Sequence, residues 1–304
     1  MRPLSAVHLP SIRDALVDNQ RRALRYMNDL RATTADPRVR ALVESQLEHD
    51  VDALARASLW WITADMTTLA WHTATTSEDL PDWKPEPEQR TGLIVWEHGI
   101  PLEVELPVDN PQALAAAGRD APPTDTVAVT AISWHIDEDR TRLAYYTADT
   151  RLTVGTDTGQ WVTPWLSTPT PLFPVPHPTP RPEIDALLMR LLSATMLISA
   201  EPTVAITRPA SWAHDVPAKS KRDRQVPAVK VIALREIPAP HTGHDDGDGG
   251  SREYTHRWIV NDHTRTYWTG PGRTVKEERW IAPYVAGPAD LPLLVKQTVR
   301  IWRR

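Results

Sequence analysis

The stretch Val127–Thr147 reads VAVTAISWHIDEDRTRLAYYT, and it decides the fold class. Two β-rich runs, Val127 to Ile136 and Arg142 to Thr147, flank a short polar segment of turn-like residues, which predicts consecutive antiparallel strands. Working outward, Leu93 to Trp96 and Leu102 to Leu106 extend the pattern, the second with Glu103 and Glu105 alternating outward. Arg151 to Trp165 offers a further short strand or two. An antiparallel meander is therefore expected over residues 90–165.

The chain before the meander is helical in pattern. Ser11 and Asp14 resemble a capping arrangement, and Ile12, Leu16, Ala23, Met27 and Leu30 recur at helical spacing. Asp36-Pro37 then offers an N-cap followed by proline at the first helical position. Val39, Leu42, Val43, Leu47, Val51 and Leu54 hold a second helix in register, to about Leu69. Residues 1–76 thus read as a helical hairpin, and the polar, Pro-rich Ser77 to Thr91 reads as a connection.

Beyond the meander, eight prolines fall between Pro164 and Pro182, so residues 166–182 are expected to be an extended linker. A buried helix is expected over 183–204, from the apolar run Ile184 to Ile198. Strand-like runs at Val229 to Ile237, Tyr254 to Val260, Trp280 to Tyr284 and Val299 to Trp302 make 205–304 a small, basic, Trp-rich β module. The fold class expected is α+β: an N-terminal helical hairpin, a central antiparallel meander and a small C-terminal antiparallel module.

Composition excludes several classes. Hydrophobic residues make up 41% and charged residues 24% of the 304, which places the chain among globular proteins. Without cysteine there is no disulfide scaffold, thiolate metal site or Cys nucleophile. The N-terminus lacks the apolar run of a signal peptide, and Ile184 to Ala200 is too short and too charged to cross a bilayer. A cytoplasmic protein with no membrane partner is expected. The net charge of −5 is divided: residues 205–304 carry 17 basic against 11 acidic side chains, whereas residues 1–204 carry 17 against 28. Such asymmetry points to an acidic partner for the C-terminal part.

The chemical motifs are sparse. Gly-x-Gly-x-x-Gly, Gly-Lys, Gly-x-Ser-x-Gly and His-Glu-x-x-His are all missing, so common nucleotide-binding and hydrolase signatures are silent. The loop His241 to Gly250 matches a calcium loop at Asp246, Asp248 and Gly249, but has His244 at position 1 and Thr255 at position 12. Glu44, Glu48 and Asp52, with His49 beside them, share a helix face but lack the Glu-x-x-His repeat of a carboxylate-bridged site. No metal and no cofactor are expected. What remains is Tyr254 to Tyr284, where basic groups interleave with aromatic rings. Lys219, Lys221, Arg222, Arg224, Arg257, Arg265, Trp268 and Arg273 form a candidate nucleic-acid surface, cations for phosphates and rings for bases. His256, His263, Arg257 and Glu278 are the candidates for acid–base and phosphate-clamping roles in metal-independent RNA cleavage.

The same stretch carries a resemblance. His256 to Val260, Arg279 to Pro288 and Pro292-Leu293 form a pattern, HRWIV, then RWIAPYVxGPxxxPL, that resembles the C-terminal region of uncharacterised proteins of high-GC bacteria and their phages. Leu187 to Met196, Lys219 to Arg224 and Val229 to Arg235 match the order of elements before it, so the resemblance spans roughly 185–304. It departs in the turn Thr264 to Arg273, which is poorer in aromatic and basic residues than the pattern implies. The resemblance implies a mobile-element setting and no particular reaction.

The function expected is a nucleic-acid-binding accessory or regulatory protein. RNA or DNA would bind through 205–304, and protein partners through the N-terminal helices. The alternatives are a metal-independent ribonuclease of toxin or defence type and a non-enzymatic interaction protein.

Overall fold

A computed structural model describes residues 4–31, 48–105, 124–137, 141–148, 173–174, 182–216, 224–235 and 254–295. The chain divides into two compact units. One holds residues 1–62, 84–182 and 208–231; the other holds 63–83, 183–207 and 232–304.

The class is α+β, built on a seven-stranded sheet in the order β5-β4-β3-β2-β1-β7-β6. Its strands are β1 (Ser58–Ile62), β2 (Thr91–Glu105), β3 (Thr124–Ile136), β4 (Thr141–Thr147), β5 (Phe173–Pro174), β6 (Ala205–Ser211) and β7 (Gln225–Leu234). The expected antiparallel meander is present with one change, the two strands expected at 93–96 and 102–106 being a single strand, β2: β2, β3, β4 and β5 pair antiparallel in succession. The sheet is mixed, because β1 runs parallel to β2, a pairing that needs a long crossover between the two strands. A register shift between Val95 and Ile100 marks a bulge in β2.

The core of the first unit lies on one face of this sheet. Leu9, Ile12, Leu16 and Val17 of helix α1 (Leu9–Arg31) pack with Val51, Leu54, Leu59, Trp61, Leu93, Val95, Ala131, Tyr146, Val229 and Val231. Leu9, Ile12 and Leu16, three and four apart, form one stripe, and Val17 widens it. The alternate strand positions Trp60, Ile62, Ile94, Trp96 and Ile132 point to the opposite face and are buried too.

Three expectations need correction. The second helix does not continue to Leu69: helical geometry over 48–56 stops, and SLWWI forms β1. All but the first residue of that strand are buried, so it shows no alternation, and a short apolar run cannot be told from helix by periodicity. Residues 1–76 are therefore not a simple helical hairpin. Nor is 205–304 a separate module, because β6 and β7 belong to the seven-stranded sheet. Most of the Pro-rich 166–182, the start of the second helix, the His241–Gly250 loop and the strand expected at 299–302 lie outside the described residues; Phe173–Pro174 forms the short strand β5, paired with β4.

The second unit holds helix α2 (Ala64–Thr76) and almost all of helix α3 (Pro182–Ser199). Two small antiparallel pairs follow: β8 (Trp258–Val260) with β11 (Tyr284–Ala286), and β9 (His263–Thr269) with β10 (Val275–Ile281). The expected buried helix is α3, with Leu188, Leu191, Leu192, Ala194, Met196 and Ile198 all inside. Polar clamps organise the rest. Arg190 donates to the carbonyls of Ala74 and Ser77 at the end of α2, satisfying groups the helix itself leaves unpaired. Asp262 accepts from the Ser77 hydroxyl at 2.6 Å and the Trp280 indole at 2.9 Å. Among the described residues, no helix is long and apolar enough to cross a membrane.

Candidate functional site

The β9–β10 hairpin is the most exposed secondary structure in the second unit. Its turn, Gly270-Pro271-Gly272-Arg273, places Gly272 at φ 71° and Arg273 at φ 55°, a left-handed path that glycine adopts without steric cost. The register pairs Arg265 with Arg279, Tyr267 with Glu277 and Trp268 with Lys276. Because side chains alternate, His263, Arg265, Tyr267, Glu277 and Arg279 share one face, and Trp268, Lys276, Glu278 and Trp280 share the other.

On the first face the Arg265 and Arg279 guanidinium carbons lie 5.4 and 5.5 Å from the Tyr267 ring centroid, within cation–π range. Arg279 also forks onto Glu277, with both contacts at 3.0 Å. That pairing holds the Glu277 carboxyl below its usual range, chiefly through the Arg279 hydrogen bond. On the second face Trp268 is 58% exposed, and Lys276 donates to Glu278 at 2.6 Å. The result is a narrow two-stranded ribbon with rings and cations on its surfaces.

The proposed catalytic set does not converge. His263 and Glu278 project from opposite faces of the ribbon. His256 lies before β8, in a separate strand pair, with its Nδ1 3.1 Å from Thr255 Oγ1. Arg257 is committed to structure: it donates to Asp65 at 2.8 Å and to the Leu291 carbonyl at 2.6 Å, and its side chain is 16% exposed. Its backbone also bonds Pro292 and Leu294. Arg257 is thus a clamp between α2 and the C-terminal segment, and neither of its candidate roles fits that geometry. Of the candidate nucleic-acid residues, Arg265, Trp268 and Arg273 all lie on the β9–β10 hairpin, Arg265 and Trp268 on its opposite faces and Arg273 in its turn. Arg224 is exposed immediately before β7, in the other unit, and its carbonyl accepts from Trp212 N–H. Lys219, Lys221 and Arg222 lie outside the described residues.

A second constellation stands in the first unit, where sequence reasoning placed none. Residues 48–56 carry His49 and Asp50 on one helical turn, and the end of β3 carries His135, with Asp137 just beyond it. His135 is flanked across the sheet by Thr91 on β2 and Arg142 on β4. Its Nε2 lies 3.0 Å from His49 Nε2 and 2.7 Å from Asp137 Oδ1, and His49 Nε2 lies 3.6 Å from Asp137 Oδ2. His135 Nδ1 is held 2.7 Å from Thr91 Oγ1. Arg142 donates to Asp50 at 2.9 Å. His135, Asp50 and Arg142 also line a pocket of about 220 Å³ with Gln20, Leu54 and Ser133.

No family model, curated protein or solved structure matches the chain.

Both sites therefore stand on their own geometry. The Asp137 carboxyl is held below its usual range, first by its hydrogen bond to His135 and further by His49 and Arg142. Burial pushes the Tyr146 hydroxyl up despite its hydrogen bonds with Ser133 and Gln20, two of the pocket-lining residues. Part of the second constellation has a sequence signal: His135-x-Asp137 puts two ligand-type side chains on the same side of an extended chain. The contribution of His49, 86 residues away in sequence, has no local signature.

Proposed function

We propose that this protein is a nucleic-acid-binding accessory or regulatory protein, cytoplasmic and associated with a mobile element, that contacts RNA or DNA through the β9–β10 ribbon. The carrying observation is Tyr267 bracketed by Arg265 and Arg279, with Trp268 standing exposed on the opposite face. A two-stranded ribbon is narrow enough to enter a DNA major groove, and exposed rings flanked by guanidinium groups stack bases in single strands. Residues 263–281 carry four basic side chains, Arg265, Arg273, Lys276 and Arg279, against two acidic ones, Glu277 and Glu278, a phosphate-directed charge that would bring a polyanion to the ribbon.

Because β6 and β7 complete the large sheet, the test uses the full chain. Its affinity for single- and double-stranded RNA and DNA oligonucleotides is measured across a salt series, with a chelator present. Binding that weakens linearly in log–log form with salt is expected, and each of Arg265→Ala and Arg273→Ala should lower the slope by about 1. Absence of binding at low salt, or binding untouched by these substitutions, would reject the reading.

A further inference from the structure

We propose that His49, His135 and Asp137 form a three-ligand site for a divalent transition metal of the zinc class, with a fourth coordination position left open. Two imidazole Nε2 atoms stand 3.0 Å apart, and one of them is also 2.7 Å from a carboxylate oxygen. A single proton on His135 Nε2 can point at Asp137 Oδ1 or at His49 Nε2 but not squarely at both; a proton on His49 Nε2 leaves the lone pairs of His135 Nε2 and Asp137 Oδ1 facing each other. No single assignment satisfies all three contacts with neutral rings. A cation placed among the three does, because each atom then presents a lone pair to it.

The dimensions agree with that assignment. Ligands at about 2.0–2.2 Å from a tetrahedral zinc are about 3.3 Å apart; here the two Nε2 atoms are 3.0 Å apart, Asp137 approaches His135 through Oδ1 at 2.7 Å and His49 through Oδ2 at 3.6 Å, and one ligand atom from each residue lies within 4.8 Å of the others. The orientation agrees as well. A metal-bound histidine usually fixes its other ring nitrogen on an oxygen acceptor, and Thr91 Oγ1 stands 2.7 Å from His135 Nδ1, a contact built by the β2–β3 register. Two imidazoles and a carboxylate suit zinc, cobalt or nickel over magnesium or calcium, which prefer all-oxygen sites. Three protein ligands with a remaining position is the pattern of zinc sites that bind water or substrate. A pocket lined by His135, Ser133, Gln20 and the Arg142–Asp50 pair adjoins the site on its His135 side. The site lies in the first unit and includes no residue of the ribbon.

Titration of tag-free, chelator-stripped full-length protein with Zn²⁺ and with Co²⁺ tests the assignment. One equivalent should bind, Co²⁺ should show the intense visible bands of a four-coordinate N/O site, and excess Mg²⁺ should not displace it. The half-exposed pair His49→Gln and Asp137→Asn should each abolish the bands while the metal-free melting temperature stays unchanged, which separates loss of a ligand from loss of the fold. Thr91→Val should weaken Zn²⁺ by about 10- to 100-fold. The double variant His241→Ala/His244→Ala should bind as wild type does. Failure to bind one equivalent overturns the site, and so does binding that survives His49→Gln and Asp137→Asn but is lost in the double variant.

Discussion

The indole of Trp134 lies across Gly92, its cross-strand partner, so closely that a Cβ built on Gly92 would stand 2.2 Å from the ring. The same indole donates to the Gln89 carbonyl at 2.8 Å and is 2% exposed. Trp134 thereby fastens the start of β2, the strand that carries Thr91, to the end of β3, the strand that carries His135. The ring is fixed on one side by its hydrogen bond and on the other by burial, so it cannot yield to an added methyl group. Gly92→Ala is expected to cost about 1–3 kcal/mol through overpacking, read as a lower midpoint in urea unfolding with an unchanged slope.

Arg257 and Asp65 supply a different expectation. Arg257→Ala removes the guanidinium that serves both the Asp65 carboxylate and the Leu291 carbonyl. A loss of about 1–3 kcal/mol in stability is expected, with nucleic-acid affinity per folded molecule unchanged. Chemical denaturation and a binding isotherm on the same variant separate the two effects. A specific loss of binding with normal stability would contradict the clamp.

Asp215 makes stability depend on pH. Burial pushes its carboxyl up. The Arg208 guanidinium, at 2.7 Å through both nitrogens, and the Ser211 backbone N–H, also at 2.7 Å, outweigh that and hold it below the usual range. A carboxyl depressed in the folded state contributes stability that is present in full above its unfolded value near 3.9 and is lost as pH falls through the folded value. Asp215→Asn should therefore be destabilised by about 1–3 kcal/mol at neutral pH. Denaturation midpoints of wild type and variant should draw together below pH 4, and a gap that stays constant through that range would refute the linkage.

Trp268 should matter for binding and little for folding. With 58% of its surface exposed, Trp268→Ala is expected to change stability by no more than about 0.5 kcal/mol. If its ring stacks a base, single-strand affinity falls by an amount corresponding to about 1–3 kcal/mol. Parallel thermal melts and fluorescence titrations would show it.

Much of the fold was legible in the sequence because its signals are local. The β-rich runs on either side of the polar residues 137–140 mark the β3–β4 pair, and the apolar stripe Ile12, Leu16 marks α1. The strongly apolar stretch Leu187 to Ile198, broken only by Arg190, Ser193 and Thr195, marks a buried helix. Strand β1 was not legible, since a strand buried on both faces carries no alternation and SLWWI continues a helical count without a break. The candidate ribbon was half legible: its residue types were visible, but which of them share a face depends on the register of β9 against β10. That register separates His263 from Glu278, and an ion pair with Asp65 removes Arg257.

By itself the sequence determined the α+β class, the antiparallel order of β2 to β4, the burial of α3 and the charge division between the two parts of the chain. These follow from periodicity, turn chemistry and composition, which act over a few residues at a time. Only the tertiary structure decided that β1 lies parallel beside β2, that β6 and β7 join the large sheet, and that His49 meets His135 and Asp137. Each depends on contacts between segments far apart in the chain, where the choice is made by burial and by the pairing of polar groups that no local pattern encodes.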